Sequence, residues 1–93
     1  MRSAVKDLDQ IWLYIARDNI DAAEKMISRL ENAAKKLAEM PGMGRKRDEL
    51  QRGIRSYPVA RYILFYRAIP GGIEVVHVYH GARRVEDLFG DAE

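Results

Sequence analysis

The 93-residue chain has no cysteine. That excludes a disulfide framework, a thiol nucleophile and any thiolate-held metal site. Histidine is scarce too, at two residues. His77 and His80 are three apart, so on one strand they point to opposite faces and cannot share a metal ion. No apolar run approaches the roughly 20 residues of a membrane span, and no secretory signal pattern follows Met1. A soluble protein with the cytoplasm as its compartment is the expectation. Repeats, low-complexity tracts and linkers are lacking as well, and the length suits one domain, residues 1–93.

What is present is an ordinary globular composition, 47% apolar and 32% charged, too apolar for disorder. The net charge of +2 is unevenly spread. Between residues 45 and 67, Arg45, Lys46, Arg47, Arg52, Arg55, Arg61 and Arg67 face only Asp48 and Glu49, a local +5. Glu86, Asp87, Asp91 and Glu93 make the tail acidic. A basic segment of this kind points to an acidic or polyanionic partner.

Periodicity places two helices first. Val5, Leu8, Trp12 and Ile15 recur at spacings of three and four, with Ile11 widening the stripe and Ser3 placed to cap it. Trp12 is expected to pack between helix and sheet. Asn19 is positioned to cap a second helix, whose apolar seam is Ala23, Ile27, Leu30, Ala34 and Leu37, with Met26 and Ala38 beside it. Pro41 and Gly42 stop it. So short a connection predicts an antiparallel helical hairpin.

The period then changes. Arg45 to Arg52 reads as a charged connection with one helical turn near Asp48–Gln51. Strands are expected near Ile54–Tyr57, Arg61–Ile69 and Ile73–His80, with Pro70-Gly71-Gly72 as a hairpin turn. Tyr57, Tyr62, Tyr66 and Tyr79 suit a pleated sheet. Val85, Leu88 and Phe89 would form a final helical turn. The fold class is α+β: an N-terminal antiparallel helical hairpin on one face of a small antiparallel sheet with three strands visible.

Gly42-Met43-Gly44-Arg45-Lys46 is not a phosphate loop. A P-loop needs a preceding strand, a Gly-Lys-Ser/Thr end and a following helix. Ser3, Ser28 and Ser56 have no histidine and acid at a recognisable spacing for hydrolase chemistry.

The runs DLDQIWLYIARDN, MPGMGRKRDEL, IRSYPVARYILFYR and VVHVYHGARR, in this order and spacing, resemble the RelE/ParE superfamily of type II toxins, most closely its ParE (plasmid stabilisation) branch. The resemblance covers nearly the whole chain. Family members usually begin with a strand before the first helix, and Met1-Arg2-Ser3 falls where that strand ends. An unpaired sheet edge is therefore expected. The resemblance implies a toxin that inhibits DNA gyrase without covalent chemistry, requires no cofactor, and is neutralised by a cognate antitoxin in a hetero-oligomer. The basic side chains Arg45, Arg47, Arg55, Arg61, Arg67 and Arg83 would meet the acidic antitoxin segment.

The same resemblance implies an alternative, a ribosome-dependent mRNA endonuclease. That chemistry needs a base for the ribose 2′-hydroxyl, a cation for the phosphorane-like charge and an acid for the leaving oxygen. Arg61, His80 and Arg83 are its candidate catalytic residues. Arg83 matches the family arginine after the last strand. The strand arginine of the nuclease branch falls at Ile63, two residues from Arg61, and its tyrosine falls at Phe89, which has no proton to give. A third option is an inactive relative that only binds antitoxin.

Overall fold

The computed structural model describes residues 2–81. Arg83, the Val85–Phe89 turn and the acidic tail lie outside them. Helix α1 spans Arg2–Ala16 and α2 spans Ile20–Glu39. A short 3-10 turn follows at Pro41–Met43. Four strands come next: β1 Arg45–Lys46, β2 Arg55–Val59, β3 Tyr62–Ile69 and β4 Gly72–His80. They form one sheet in the order β1-β2-β3-β4, antiparallel throughout. The α+β layout is the expected one.

The helix boundaries follow their chemistry. Asn19 is extended and its side-chain oxygen accepts from the N–H of Ala22 at 3.0 Å, which satisfies one of the unpaired donors of the first turn. Pro41 bars continuation of α2. At the other end the expectation needs correcting. The α1 helix already includes Ser3, which therefore stands in its first turn and does not cap it.

The helical hairpin covers one sheet face. Ile11, Leu30, Ala33 and Leu37 are buried there against Val59, Tyr62, Leu64, Tyr66 and Val78. Leu8, Ile15, Met26, Ile27 and Ala34 pack on this cluster. Trp12 does not fulfil its expected role. It is half-buried and belongs neither to the core nor to the side chains packed on it. The smaller Ile11, one residue earlier, faces the sheet. In α2, Ala33 is buried, whereas Ala38 is exposed.

The other sheet face carries a second apolar cluster that periodicity did not reveal. Leu50, Ile54 and Phe65 are buried together, with Ile63, Val76 and Tyr79 against them. The segment expected as a charged connection supplies Leu50. Its turn is closed by bonds from the N–H groups of Leu50 and Gln51 to the carbonyl of Arg47, at 2.9 and 3.3 Å. The same segment contributes β1, a fourth strand, which pairs Arg45 with Ser56 and Lys46 with Arg55.

A bulge sits between β3 and β4. Phe65 pairs with His77 and Tyr66 with Val75, so Val76 is the extra residue. Past it the alternation shifts by one. Val75 and Val78, three apart, both reach the helix side. His77 stands opposite Phe65, and His80 opposite Tyr62 on the helix side. The two histidines thus occupy opposite faces.

Tyr66 joins the layers. Its ring is fully buried. Its hydroxyl donates to the carbonyl of Pro41 at 2.6 Å and accepts from the N–H of Gly44 at 2.8 Å. A Cβ at residue 44 would fall 2.6 and 2.8 Å from ring atoms Cε1 and Cζ of Tyr66, so only glycine fits. Tyr66→Phe would leave both backbone groups without that partner. It is expected to lower stability by about 1–3 kcal/mol, read as a lower urea midpoint with an unchanged slope.

Candidate functional site

The site is built where α1 passes the end of β4. Asp7 of α1 reaches the strand edge, and its Oδ2 accepts from the N–H of Val78 at 3.0 Å. The same oxygen lies 3.2 Å from Nδ1 of His77. The His77 ring in turn stacks on Tyr79, with centroids 4.7 Å apart. One carboxylate therefore satisfies an edge N–H and pins α1 to the sheet.

Next to this anchor a cleft of about 400 Å³ opens between α1 and β4, lined by Asp7, Gln10, Tyr14, Tyr62, Tyr79 and His80 among others. An adjoining hollow of about 310 Å³ shares Tyr14, Tyr62 and His80 and adds Ala60 and Arg61. The His80 ring meets Tyr62 edge-on, with centroids 5.4 Å apart. Burial, with Tyr14 close by, pushes the Tyr62 phenol above its ordinary pKa, and Arg61 partly opposes the shift. Ala60 holds a left-handed φ of 55° in the two-residue turn that presents Arg61, a conformation costly for a residue with a Cβ. The Gly81 N–H donates to the Arg61 carbonyl at 2.8 Å and closes this end of the sheet.

Two of the three candidate catalytic residues, Arg61 and His80, therefore meet in one cleft. Arg83 lies outside the described residues. Tyr62, Tyr14, Gln10 and Asp7 were not candidates. Only the fold brings them to the histidine, since Asp7 and Val78 are 71 positions apart. Among the described residues no cluster of three or more His, Asp or Glu could hold a metal ion.

The basic side chains expected at a partner surface divide into two groups. Three are engaged within the fold. Arg47 pairs with Glu49 at 2.7 Å and reaches Ser56 Oγ at 3.3 Å. Arg55 donates to the carbonyls of Gly42 and Gly44, at 3.3 and 2.7 Å. Arg67 pairs with Glu74 at 2.8 Å. These bonds hold the carboxyls of Glu49 and Glu74 below their ordinary pKa. Arg45 and Arg61 are exposed and form no ion pair among the described residues.

Residues 1–85 match the family model described as "ParE toxin of type II toxin-antitoxin system, parDE". The chain belongs to the ParE toxin family. It is 32% identical to Toxin ParE1 of Caulobacter vibrioides over 80 residues, covering 85% of this chain and 82% of the relative. Toxin ParE3 of the same organism is 25% identical over 85 residues, 90% of this chain and 85% of that protein. Toxin RelE2, also from Caulobacter vibrioides, is 35% identical over 80 residues, 86% and 89% of the two chains. The similarity thus extends to both named branches of the superfamily. No helix among the described residues of this ParE-family toxin is long and apolar enough to cross a membrane.

Asp7 is the residue on which the cleft depends. Asp7→Ala should leave the Val78 N–H without its partner and cost about 1–3 kcal/mol. Amide hydrogen exchange at Val78 should accelerate by more than the loss of global stability accounts for. Unchanged exchange at Val78 would mean that the edge N–H is protected without the carboxylate.

Proposed function

We propose that this ParE-family toxin arrests growth in the cytoplasm by binding DNA gyrase, so that gyrase-cleaved DNA accumulates, and that a cognate antitoxin neutralises it. The observation that carries this reading is the ParE match across residues 1–85. The toxin forms and breaks no covalent bond in this scheme and needs no cofactor. Its contribution is a binding surface, to which exposed cations such as Arg45 and Arg61 bring electrostatic attraction for acidic partners.

A second reading, ribosome-dependent mRNA cleavage, draws support from one specific feature. Arg61, His80 and Tyr62 share a cleft, and the chain is similar to Toxin RelE2. In that chemistry His80 would take the 2′-hydroxyl proton, Arg61 would meet the developing phosphorane charge, and the Tyr62 phenol would give its proton to the departing 5′-oxygen of the RNA.

Induced expression separates the readings. The gyrase reading expects growth arrest with gyrase-linked DNA breaks and no cuts in ribosome-bound mRNA. Arg61→Ala with His80→Ala would then create no loss of a cleavage activity. Codon-specific mRNA cuts, lowered about 10²-fold or more by the same double substitution, would establish the nuclease reading. Normal growth with intact antitoxin binding would mark the chain as an inactive relative.

A further inference from the structure

A hollow of about 430 Å³ lies at the other end of the sheet from the cleft, where β1, β2 and the turn leading into β2 meet. Its lining includes Lys46, Asp48, Arg52, Gly53, Arg55 and Ala68. Lys46 and Arg52 belong to the basic segment of the chain but have no part in the site described above. Both are exposed, and neither forms an ion pair among the described residues.

The charges are arranged at a cost to the fold. Lys46 stands directly opposite Arg55 in the β1–β2 ladder. Side chains so placed share a face, and like charges there weaken the pairing. Strand β1 is only two residues long, so this repulsive pair is half of its register. Arg55 is held in place, because its Nη1 donates to the Gly44 carbonyl at 2.7 Å and to the Gly42 carbonyl at 3.3 Å. Arg52 adds a third cation from the turn. The one carboxylate of the lining, Asp48, accepts from the Gly53 N–H at 3.0 Å and closes that turn. Three cations against one carboxylate leave an excess of positive charge. An anion seated among them would turn the repulsion into attraction.

The rest of the lining selects the anion. Gly53 has no side chain and Ala68 only a methyl group, and the space a Cβ would enter at residue 53 is open to 4 Å. A bulky backbone can therefore come close. No aromatic ring among the described residues lines the hollow, so an unpaired base finds nothing to stack on. Lysine and arginine without such a platform contact phosphates and not base edges. We infer that the hollow receives a backbone phosphate of duplex DNA. Lys46 and Arg52 meet the phosphate oxygens, and the fixed Arg55 adds to the field that draws them in. The choice of DNA rests on the gyrase reading and deepens it: the toxin touches the DNA as well as the enzyme that cuts it, through a surface that reads no sequence.

The test uses the full chain and a labelled DNA duplex of about 30 base pairs, with binding read by fluorescence anisotropy from low to moderate salt. The native protein should bind, and Lys46→Glu/Arg52→Glu should bind roughly tenfold or more weakly, with a salt dependence shallower by about one to two phosphate contacts. Lys25→Glu/Lys35→Glu makes the same charge change on α2 and should leave binding near native. Lys46→Glu alone should melt at or above the native temperature, since it replaces a repulsive cross-strand pair with an attractive one. Loss of binding therefore cannot come from unfolding. No binding by the native protein, equal losses in the two double variants, tighter binding of a single strand or of duplex RNA, or a lowered melting temperature in Lys46→Glu would overturn the assignment. Purified gyrase separates this from the reading beneath it. If gyrase-cleaved DNA accumulates equally with native protein and with Lys46→Glu/Arg52→Glu, the gyrase reading stands and the DNA contact fails. If the protein binds duplex DNA as described but no cleaved DNA accumulates, the gyrase reading alone fails.

Discussion

The phenol of Tyr66 sits where the two layers of this protein meet. Its ring fills the core under the helical hairpin, and its hydroxyl leaves that core to bond the Pro41 carbonyl and the Gly44 N–H. A buried hydroxyl must find partners, and here it finds them in the turn that ends α2. The end of the second helix is thereby fixed over the sheet. Arg55 fastens the same turn from β2 through the Gly42 and Gly44 carbonyls. The following residues, held in place, add β1 and carry Leu50 beneath the other sheet face. Leu50 there joins Ile54 and Phe65 in the second apolar cluster.

Asp7 performs the corresponding task for α1. A helix laid over a sheet edge leaves outward N–H groups to be satisfied, and an open edge invites association. The carboxylate satisfies the Val78 N–H and lies beside His77, so α1 is held close enough for Gln10 and Tyr14 to line a cleft with Tyr62 and His80. The bulge at Val76 completes the arrangement. By shifting the alternation it brings Val78 to the core side, and with it His80 to the ring of Tyr62.

Local patterns in the chain carried most of the architecture. The Asn19 cap, the stop at Pro41, the Pro70-Gly71 turn with its left-handed glycine and the aromatic, β-branched strands are all decided within a few residues of themselves. What periodicity could not convey depended on partners far away. Trp12 and Ile11 are adjacent on the stripe, and only the position of the sheet determines which one is buried. Leu50 is a single apolar residue in a charged run, so no rhythm announces it or the cluster beneath the sheet. Within the site, Arg61 and His80 were legible because strand ends gather side chains, whereas Asp7 and Tyr14 joined them through tertiary contact alone. Composition likewise counted Arg47, Arg55 and Arg67 as available cations. In the fold their charges are spent on Glu49, on turn carbonyls and on Glu74.

In the proposed function this ParE-family toxin acts by occupying gyrase and not by turning over a substrate. An inhibitor that works by occupancy is consumed by its target, whereas a catalyst is not. Titrating purified protein into a fixed, high concentration of gyrase and DNA tests this most directly. Occupancy predicts trapped, cleaved DNA that rises in proportion to added protein and levels off near equivalence with gyrase. A full effect at a small fraction of equivalence, or unaffected gyrase alongside cleavage of mRNA on purified ribosomes, would contradict it.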